Sequence, residues 1–244
     1  LRAAEEEGDP PEPVFRRPAF RKAMAVVLAL MLVAQAAALL PQIFSLAAIR
    51  FLAVSAQLSQ SSDIQAYKES VVVIRSGNSK GTGFVVSDSG LIVTNRHVVD
   101  DPAAPLVHLA DGSVHRGTVV SADDTVDLAI VRIEAEGLPA LPLAETYDGA
   151  EDVPVYIIGN PLFFNGIANE GKTLGLLGGG PSRTMAVDAP IYKGNSGSPV
   201  LNRDGEVIGV VFAIGEITQE NGGKRRAGLA VPVDWVHAML LDGN

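Results

Sequence analysis

The sequence has 244 residues, of which 47% are hydrophobic and 19% are charged, and its formal net charge is -9. This length suits one domain of up to about 200 residues plus accessory segments, and such a domain can bury a sizeable core unaided. Because the sequence contains no cysteine, a disulfide framework, a thiol nucleophile and any cysteine-ligated zinc or iron–sulfur site are excluded.

Charge is distributed unevenly along the chain. Residues 1–64 carry six basic and six acidic side chains, whereas residues 65–244 carry 13 basic and 22 acidic ones. A nucleic-acid surface requires a clustered Lys/Arg face. The acidic balance of the larger part therefore argues against a nucleic-acid partner.

The N-terminal third is predicted to reach a membrane. Residues 1–22 are polar and rich in Pro and Glu, which predicts a disordered leader. Residues 23–40 follow without a charge, and a helix of that length reaches about 27 Å, the thickness of a bilayer core. The basic residues on its N-terminal side are Arg16, Arg17, Arg21 and Lys22. Arg50 is the only nearby basic residue on the other side, and this asymmetry favours an N-terminus inside the cell. Residues 23–58 are therefore predicted to be a transmembrane signal anchor with an apolar linker.

Two alternatives to the anchor remain open. The tripeptides AQA at residues 34–36 and VSA at residues 54–56 resemble cleavage sites of an export signal, and cleavage would yield a secreted form. A buried helix of a soluble protein is the third possibility. The anchor and the cleaved signal both place the rest of the chain outside the cytoplasm, in the periplasm or the extracellular space.

From about residue 70, short runs rich in β-branched residues alternate with turn residues, which predicts strands and hairpins. The predicted strands are 70–75, 83–86, 91–94, 105–109, 117–120, 128–133, 153–158, 184–187, 199–201, 206–214 and 228–231. Closely spaced strands without intervening helices favour an antiparallel barrel or sandwich. Helical spacing of Trp235, Met239 and Leu240 predicts a short C-terminal helix over 232–241.

Three motifs carry the residue types of nucleophilic catalysis: TNRHVV around His97, DLAIV from Asp127, and GNSGSP around Ser196. A serine hydroxyl needs an imidazole to take its proton, and the imidazole needs a carboxylate to hold the useful tautomer. We therefore predict that His97 is the general base, Asp127 its orienting acid and Ser196 the nucleophile. The glycines around Ser196 allow a tight turn in which the Gly194 and Ser196 N–H groups form an oxyanion hole.

Other residues of these types are weaker candidates. Asp123 and Asp124 lie in a turn-like, solvated stretch, whereas Asp127 directly precedes an apolar strand. The remaining histidines are expected to have structural roles: His108, His115 and His237.

Residues 166–173, GIANEGKT, match the phosphate-loop pattern of nucleotide-binding proteins. That loop functions directly after a strand and at the start of a helix. The preceding predicted strand ends at residue 158, and the glycines and Pro181 prevent a helix over 174–181. We therefore expect no nucleotide site.

The motifs also resemble a known family. The strings that carry the resemblance are GTGFVVSDSGLIVTNRHVV, DLAIVRI, VYIIGNP, VDAPIYKGNSGSPVLN and GLAVPVDWV. In this order, across about residues 70–238, they resemble the trypsin-like, chymotrypsin-fold serine endopeptidases, most closely the bacterial HtrA/Deg branch. The resemblance implies an all-β domain over 65–244 made of two six-stranded antiparallel barrels, with the site in the cleft between them. It also implies the same roles for His97, Asp127, Ser196 and Gly194.

The resemblance implies where substrate side chains bind. The residues that fall around the primary specificity pocket are Ile191, Lys193, Phe212, Ala213 and Ile214. Pro190 stands where an acid would select Lys or Arg, so we expect an uncharged, small to medium aliphatic side chain in the pocket. Lys193 at the rim leaves an acidic side chain as the alternative.

The predicted function is thus a membrane-tethered, exported serine endopeptidase that acts on unfolded or damaged proteins and uses no metal or organic cofactor. Analogy with the family suggests a homotrimer in which Tyr67 and its neighbours take part. Because the sequence ends seven residues after His237, we expect no PDZ domain. An inactive pseudoprotease that serves as a binding or scaffold domain is the alternative.

Overall fold

The computed structural model of the chain describes residues 18–43, 46–180, 183–218 and 222–242. The chain divides into two compact units, Leu1–Arg50 and Phe51–Asn244.

The predicted N-terminal elements are only partly described. Most of the leader predicted over residues 1–22 lies outside the described residues. Helix α1 spans Pro18–Ile43, and helix α2 spans Leu46–Leu58. None of the helices in the described part of the chain is long and apolar enough to cross a membrane, so the transmembrane helix predicted over residues 23–58 is not found there.

The first sheet follows a short helix, α3 (Ser62–Glu69), and has seven antiparallel strands in the order β5-β4-β1-β2-β3-β7-β6. Its strands are β1 (Val71–Ser76), β2 (Ser79–Ser87), β3 (Leu91–Thr94), β4 (Leu106–His108), β5 (Val114–Arg116), β6 (Thr118–Asp123) and β7 (Leu128–Arg132). Gly117 alone separates the two edge strands β5 and β6, so the chain itself connects the edges and the sheet curls. A Cβ atom at Gly117 would lie 2.5 Å from Val131 Cγ1, which is why this bend requires glycine.

The second sheet is a closed antiparallel barrel in the order β10-β13-β12-β11-β8-β9. Its strands are β8 (Glu151–Gly159), β9 (Ile167–Leu177), β10 (Thr184–Asp188), β11 (Pro199–Leu201), β12 (Val207–Thr218) and β13 (Lys224–Pro232). Helix α4 (Val233–Asp242) follows the barrel and confirms the predicted C-terminal helix. The architecture is mostly β, with two curled antiparallel sheets, as predicted; the first has seven strands where six were expected.

Strands β5 and β9 were not predicted. Strand β5 is only three residues long and two of them, His115 and Arg116, are polar. Strand β9 contains all but the first residue of the GIANEGKT pattern, in which glycine and charged residues obscure the alternation typical of a strand. It pairs with β8 and with β10, so the phosphate-loop pattern lies within a sheet and does not begin a helix.

The apolar strands of the first sheet bury both faces. On β1, Val72 and Ile74 belong to the core inside this sheet, whereas Val71 belongs to the larger cluster that includes the second barrel. On β7, Ala129 belongs to the core inside the first sheet and Leu128 belongs to the larger cluster. Because side chains alternate between the faces of a strand, burial of both faces produces the continuous apolar runs VVVI and LAIV.

Candidate active site

Asp127 is held in one orientation by several hydrogen bonds. Its backbone has φ of 56°, a left-handed conformation that Asp tolerates better than most residues. Its carbonyl accepts hydrogen bonds from Asn95 Nδ2 at 2.9 Å and from the Arg96 N–H at 3.3 Å. These bonds fix the carboxyl group at the beginning of β7, beside the short 3₁₀ helix that carries His97.

The Asp127 carboxylate contacts His97 through both oxygens. Oδ2 lies 2.7 Å from His97 Nδ1, and Oδ1 accepts the His97 backbone N–H at 3.0 Å. The His97 side chain is 48% exposed while that of Asp127 is 27% exposed, so the acid is partly shielded and the imidazole reaches solvent. The second ring nitrogen, Nε2, is left to act as a base when Nδ1 carries the proton.

The rival acids have other partners. Asp123 Oδ1 accepts the Thr125 N–H at 2.6 Å within a turn. Asp124, whose side chain is 86% exposed, forms an ion pair with Arg96 Nε at 3.2 Å. Of these three acids, Asp127 is the one whose carboxylate contacts the His97 ring; its role as the orienting acid stays a prediction.

The other histidines lie elsewhere in the fold. His108 and His115 are on β4 and β5, and His237 Nε2 contacts the Ala144 carbonyl oxygen at 2.8 Å. In the described ranges, no group of three His, Asp or Glu side chains is placed to hold a metal ion.

Ser196 lies on a turn that depends on glycine. Gly194 has φ of 100° and Gly197 has φ of 84°, a backbone region that favours glycine. A Cβ atom at Gly197 would lie 1.9 Å from the Thr82 carbonyl oxygen, so this turn packs directly on β2.

The Gly194 and Ser196 N–H groups are predicted to form an oxyanion hole. Neither has an acceptor among the described residues. The Lys193 carbonyl accepts the Leu162 N–H at 2.8 Å. In a trans peptide the C=O and the following N–H point in opposite directions. This bond therefore directs the Gly194 N–H away from Leu162.

The loop that contains Leu162 is itself held by Lys80. Its ammonium donates to the Leu162 carbonyl at 3.1 Å, to the Phe164 carbonyl at 3.3 Å and to Asn165 Oδ1 at 3.1 Å. Burial lowers the pKa of Lys80, and the Arg75 charge lowers it further. The ammonium thus connects β2 to the loop after β8.

Thr82 is a buried residue of β2 that links the two sheets. Its hydroxyl donates to the Gly194 carbonyl at 2.8 Å and accepts the Asn160 N–H at 3.0 Å. Its backbone N–H donates to the Ser196 carbonyl at 2.8 Å. The Ser196 turn is therefore tied to the first sheet on both sides of Asn195.

Ser196 and the His97 segment meet at Gly81. A Cβ atom there would lie 2.6 Å from Val98 Cγ2 and 3.2 Å from the Ser196 carbonyl oxygen. The Ser196 hydroxyl donates to the Phe212 carbonyl at 3.4 Å. Within the part of the chain that the structure describes, it makes no hydrogen bond to His97, so that bond stays a prediction.

A cavity of about 350 Å³ opens beside Ser196. All five residues expected around a specificity pocket line it: Ile191, Lys193, Phe212, Ala213 and Ile214. Val211, from the same predicted strand, lines it too, and so do Tyr192 and Arg226, which were not predicted. Arg226 lies 30 residues beyond Ser196 in the sequence, and only the pairing of β12 with β13 brings it to the cavity.

Thr82 and Asn160 were not predicted as residues that position the turn. Asn160 Nδ2 donates to the Val72 carbonyl at 2.9 Å, and Asn160 Oδ1 accepts the Gly166 N–H at 2.9 Å. A signal was available, because both residues occur in strings that carry the family resemblance, GTGF and IIGNP.

The chain is similar to known proteins. Residues 81–210 match the family model described as "Trypsin-like peptidase domain". The "Probable periplasmic serine endoprotease DegP-like" of Pseudomonas fluorescens is 33% identical over 164 residues, which cover 66% of this chain and 34% of that protein. The "Putative serine protease HhoA" of Synechocystis is 36% identical over 170 residues, which cover 66% of this chain and 42% of that protein.

A solved structure is also similar. The crystal structure of the serine endoprotease from Yersinia pestis has a TM-score of 0.63 and 26% sequence identity, and the match covers 76% of this chain and 66% of that one. The chain spans 34% and 42% of the length of the two curated relatives. The expectation that it has no PDZ domain stays a prediction.

Proposed function

Because this chain belongs to the trypsin-like peptidase domain family, we propose that it is a serine endopeptidase with a triad of Ser196, His97 and Asp127. The observation that carries the proposal is the two-point contact of the Asp127 carboxylate with the His97 ring and backbone. That contact orients the imidazole and stabilises the positive charge that the ring acquires during the reaction.

The first chemical step is attack by Ser196 Oγ on the carbonyl carbon of the scissile peptide. His97 Nε2 takes the hydroxyl proton as the C–O bond forms, and the carbonyl oxygen becomes an oxyanion. The Gly194 and Ser196 N–H groups donate to that oxyanion. Loss of one such donor typically lowers the rate by a factor of about 10²–10³.

The second step releases the amine. The protonated His97 returns its proton to the leaving nitrogen, the C–N bond breaks, and an acyl ester remains on Ser196. Water, deprotonated by the same imidazole, then hydrolyses the ester and regenerates the serine. This cycle uses protein groups and water alone.

One observation favours the second candidate, a pseudoprotease that binds polypeptides without cleaving them. The Ser196 hydroxyl donates to the Phe212 carbonyl and makes no hydrogen bond to His97 among the described residues. A rotation about the Ser196 Cα–Cβ bond redirects the hydroxyl, and catalytic hydrogen bonds often tighten only when substrate binds. We therefore place catalysis first.

Labelling with a fluorophosphonate separates the two candidates, because the reagent reacts with an activated serine. We expect the wild-type chain to be labelled and Ser196→Ala to remain unlabelled. Ser198→Ala is the matched control: Ser198 lies on the same turn, but its hydroxyl is buried and has no hydrogen-bond partner among the described residues. A folded wild-type chain that resists labelling and does not cleave denatured casein would contradict the proposal and favour the pseudoprotease.

We further propose that the enzyme works outside the cytoplasm on unfolded or damaged proteins. The name of a periplasmic DegP-like relative supports the location. Cell fractionation, with Ser196-dependent cleavage of denatured but not native casein, tests both points.

A homotrimer through the N-terminal segments belongs to the same proposal. Tyr67 packs against Gly205 of its own chain. Sedimentation of the Tyr67→Ala variant tests whether Tyr67 also contributes to the trimer.

A further inference from the structure

Arg226 gives the cavity beside Ser196 a positive charge that was not predicted from the sequence. We propose that Arg226, assisted by Lys193, makes this pocket select an acidic side chain, glutamate before aspartate, on the residue whose carbonyl is attacked. The inference rests on the proposed function, since it names the substrate class of the same site.

Among the described residues, the Arg226 side chain has no ionic partner, and in this it differs from its two neighbours. Three basic residues follow one another on β13. Lys224 Nζ lies 3.4 Å from Glu216 Oε2, and Arg225 forms an ion pair with Asp188. Across the described residues the side chain of Arg226 forms no ion pair and no hydrogen bond. It is opposite Glu216 in the strand register, but that carboxylate is engaged by Lys224.

None of the described residues that line the cavity is acidic. Its lining consists of apolar side chains, Tyr192, Ser196 and two cations, Lys193 and Arg226. The Lys193 ammonium has no partner among the described residues either. An incoming carboxylate would therefore meet two cations that no other group has neutralised, while a Lys or Arg side chain would be repelled. In a chain with a net charge of -9, this is an unusual local surplus of positive charge.

The positions of the two cations favour glutamate over aspartate. Lys193 is adjacent to Gly194 and so lies near the turn that carries the nucleophile. Arg226 also lines a second cavity, which includes Pro190 and Gly228 but not Ser196, so it lies toward the far side of the first one. A glutamate can rest its methylene groups on Ile191 and Ile214 and still extend its carboxylate toward the guanidinium.

The test is a series of fluorogenic peptides that differ only at the residue before the cleaved bond: Glu, Asp, Gln, Val or Lys. With the full chain we expect kcat/KM for Glu to exceed that for its neutral isostere Gln by about tenfold or more, since a charge-assisted hydrogen bond is lost with Gln. Arg226→Gln should remove most of this preference for Glu over Gln. Arg226→Glu should shift the preference toward Lys.

Arg116→Gln is the matched control, because it removes one exposed positive charge from β5 of the first sheet and should leave the Glu to Gln ratio unchanged. Equal cleavage after Gln and Glu, or a Glu preference that survives Arg226→Gln, would overturn the inference. Fluorophosphonate labelling of the same variants keeps the two proposals apart, because the reagent carries no side chain for the pocket. Labelling without a Glu preference leaves the peptidase proposal intact.

A binding experiment tests the pocket even if no cleavage is seen. Calorimetry with Ser196→Ala compares peptide amides that end in Glu, Gln or Val. Tighter binding of the Glu peptide, by about tenfold over Gln and dependent on Arg226, supports the inference independently of catalysis. Equal binding of Glu and Gln contradicts it.

Discussion

The two sheets contribute to the site in different ways. The first sheet supplies side chains: the His97 ring and the Asp127 carboxylate, joined at 2.7 Å. The second barrel supplies mainly backbone: the turn at Gly194–Gly197, two N–H groups without an acceptor in the described part of the chain, and the pocket walls on β12 and β13. In the proposed mechanism, proton transfer is thus the task of the first sheet, and placement of the nucleophile and substrate is the task of the second barrel.

This division predicts two kinds of failure. A substitution of a proposed catalytic side chain should abolish peptide cleavage and leave the fold intact, because the His97 and Asp127 side chains are partly exposed. A change to the supporting backbone should first affect stability, because the turn packs against β2 without free space. The following substitutions test that difference, starting with the largest expected effect.

Asp127→Asn should lower kcat by a factor of about 10³–10⁴, because the amide cannot hold the imidazole in the useful tautomer or stabilise its charge. The fold should survive, since Asn also tolerates the left-handed backbone at this position. Asp124→Asn is the control: it removes an exposed carboxylate nearby and should change kcat by less than about twofold. Comparable losses in both variants, measured with a peptide substrate, would contradict the assignment of Asp127.

Gly197→Ala should destabilise the chain by about 3 kcal/mol or more, since the new methyl group overlaps the Thr82 carbonyl and the backbone is strained. Gly112→Ala isolates the strain. Its φ of 87° is similar, but a Cβ atom there meets nothing within 4 Å, so a loss of only about 1 kcal/mol is expected. Urea denaturation measures both. Equal losses would show that the contact with Thr82 contributes nothing.

Asp234→Asn should have the smallest effect and should spare catalysis. Asp234 lies in the first turn of α4, where Oδ1 accepts the Thr146 hydroxyl at 2.6 Å and Oδ2 accepts the Tyr147 N–H at 3.4 Å. Partial burial raises the pKa of Asp234, but these hydrogen bonds and the Arg183 charge outweigh it, so the pKa is lowered overall.

A carboxyl whose pKa is lowered by folding stabilises the native state above its unfolded pKa, about 3.9, and this contribution disappears as the pH falls through the folded value. Asp234→Asn should therefore lower the free energy of unfolding by about 1 kcal/mol at pH 7 and by less near pH 3. Urea denaturation at both pH values checks this. A difference that persists undiminished at pH 3 would assign the effect to shape and not to charge.

Much of the fold was predictable because local patterns were strong. The strands 91–94 and 199–201 were predicted with the bounds they have in the structure, and the turns at Gly112 and Gly205 have the positive φ expected of their Asp-Gly pairs. Strand β9 was missed because its glycines and charged residues obscure the alternation of apolar and polar side chains, and because its pairing with β8 and β10 depends on segments outside its own sequence. Asp127 Oδ2 lies 2.7 Å from His97 Nδ1, and no hydrogen bond from Ser196 to His97 is found among the described residues, so the roles of these three residues stay predictions.

The sequence alone determined which chemical groups are available and in which local settings: an imidazole after one strand, a carboxylate before another, and a hydroxyl on a turn bracketed by glycine. Those features depend on neighbouring residues, so they can be recognised from short strings. Only the tertiary structure decided which distant groups share a cavity. The pairing of β12 with β13 brings Arg226 into the cavity that Ser196 also lines. The packing of the sheets lets the Thr82 hydroxyl donate to the Gly194 carbonyl. Neither contact can be recognised from a short string, because each depends on register and packing across many residues.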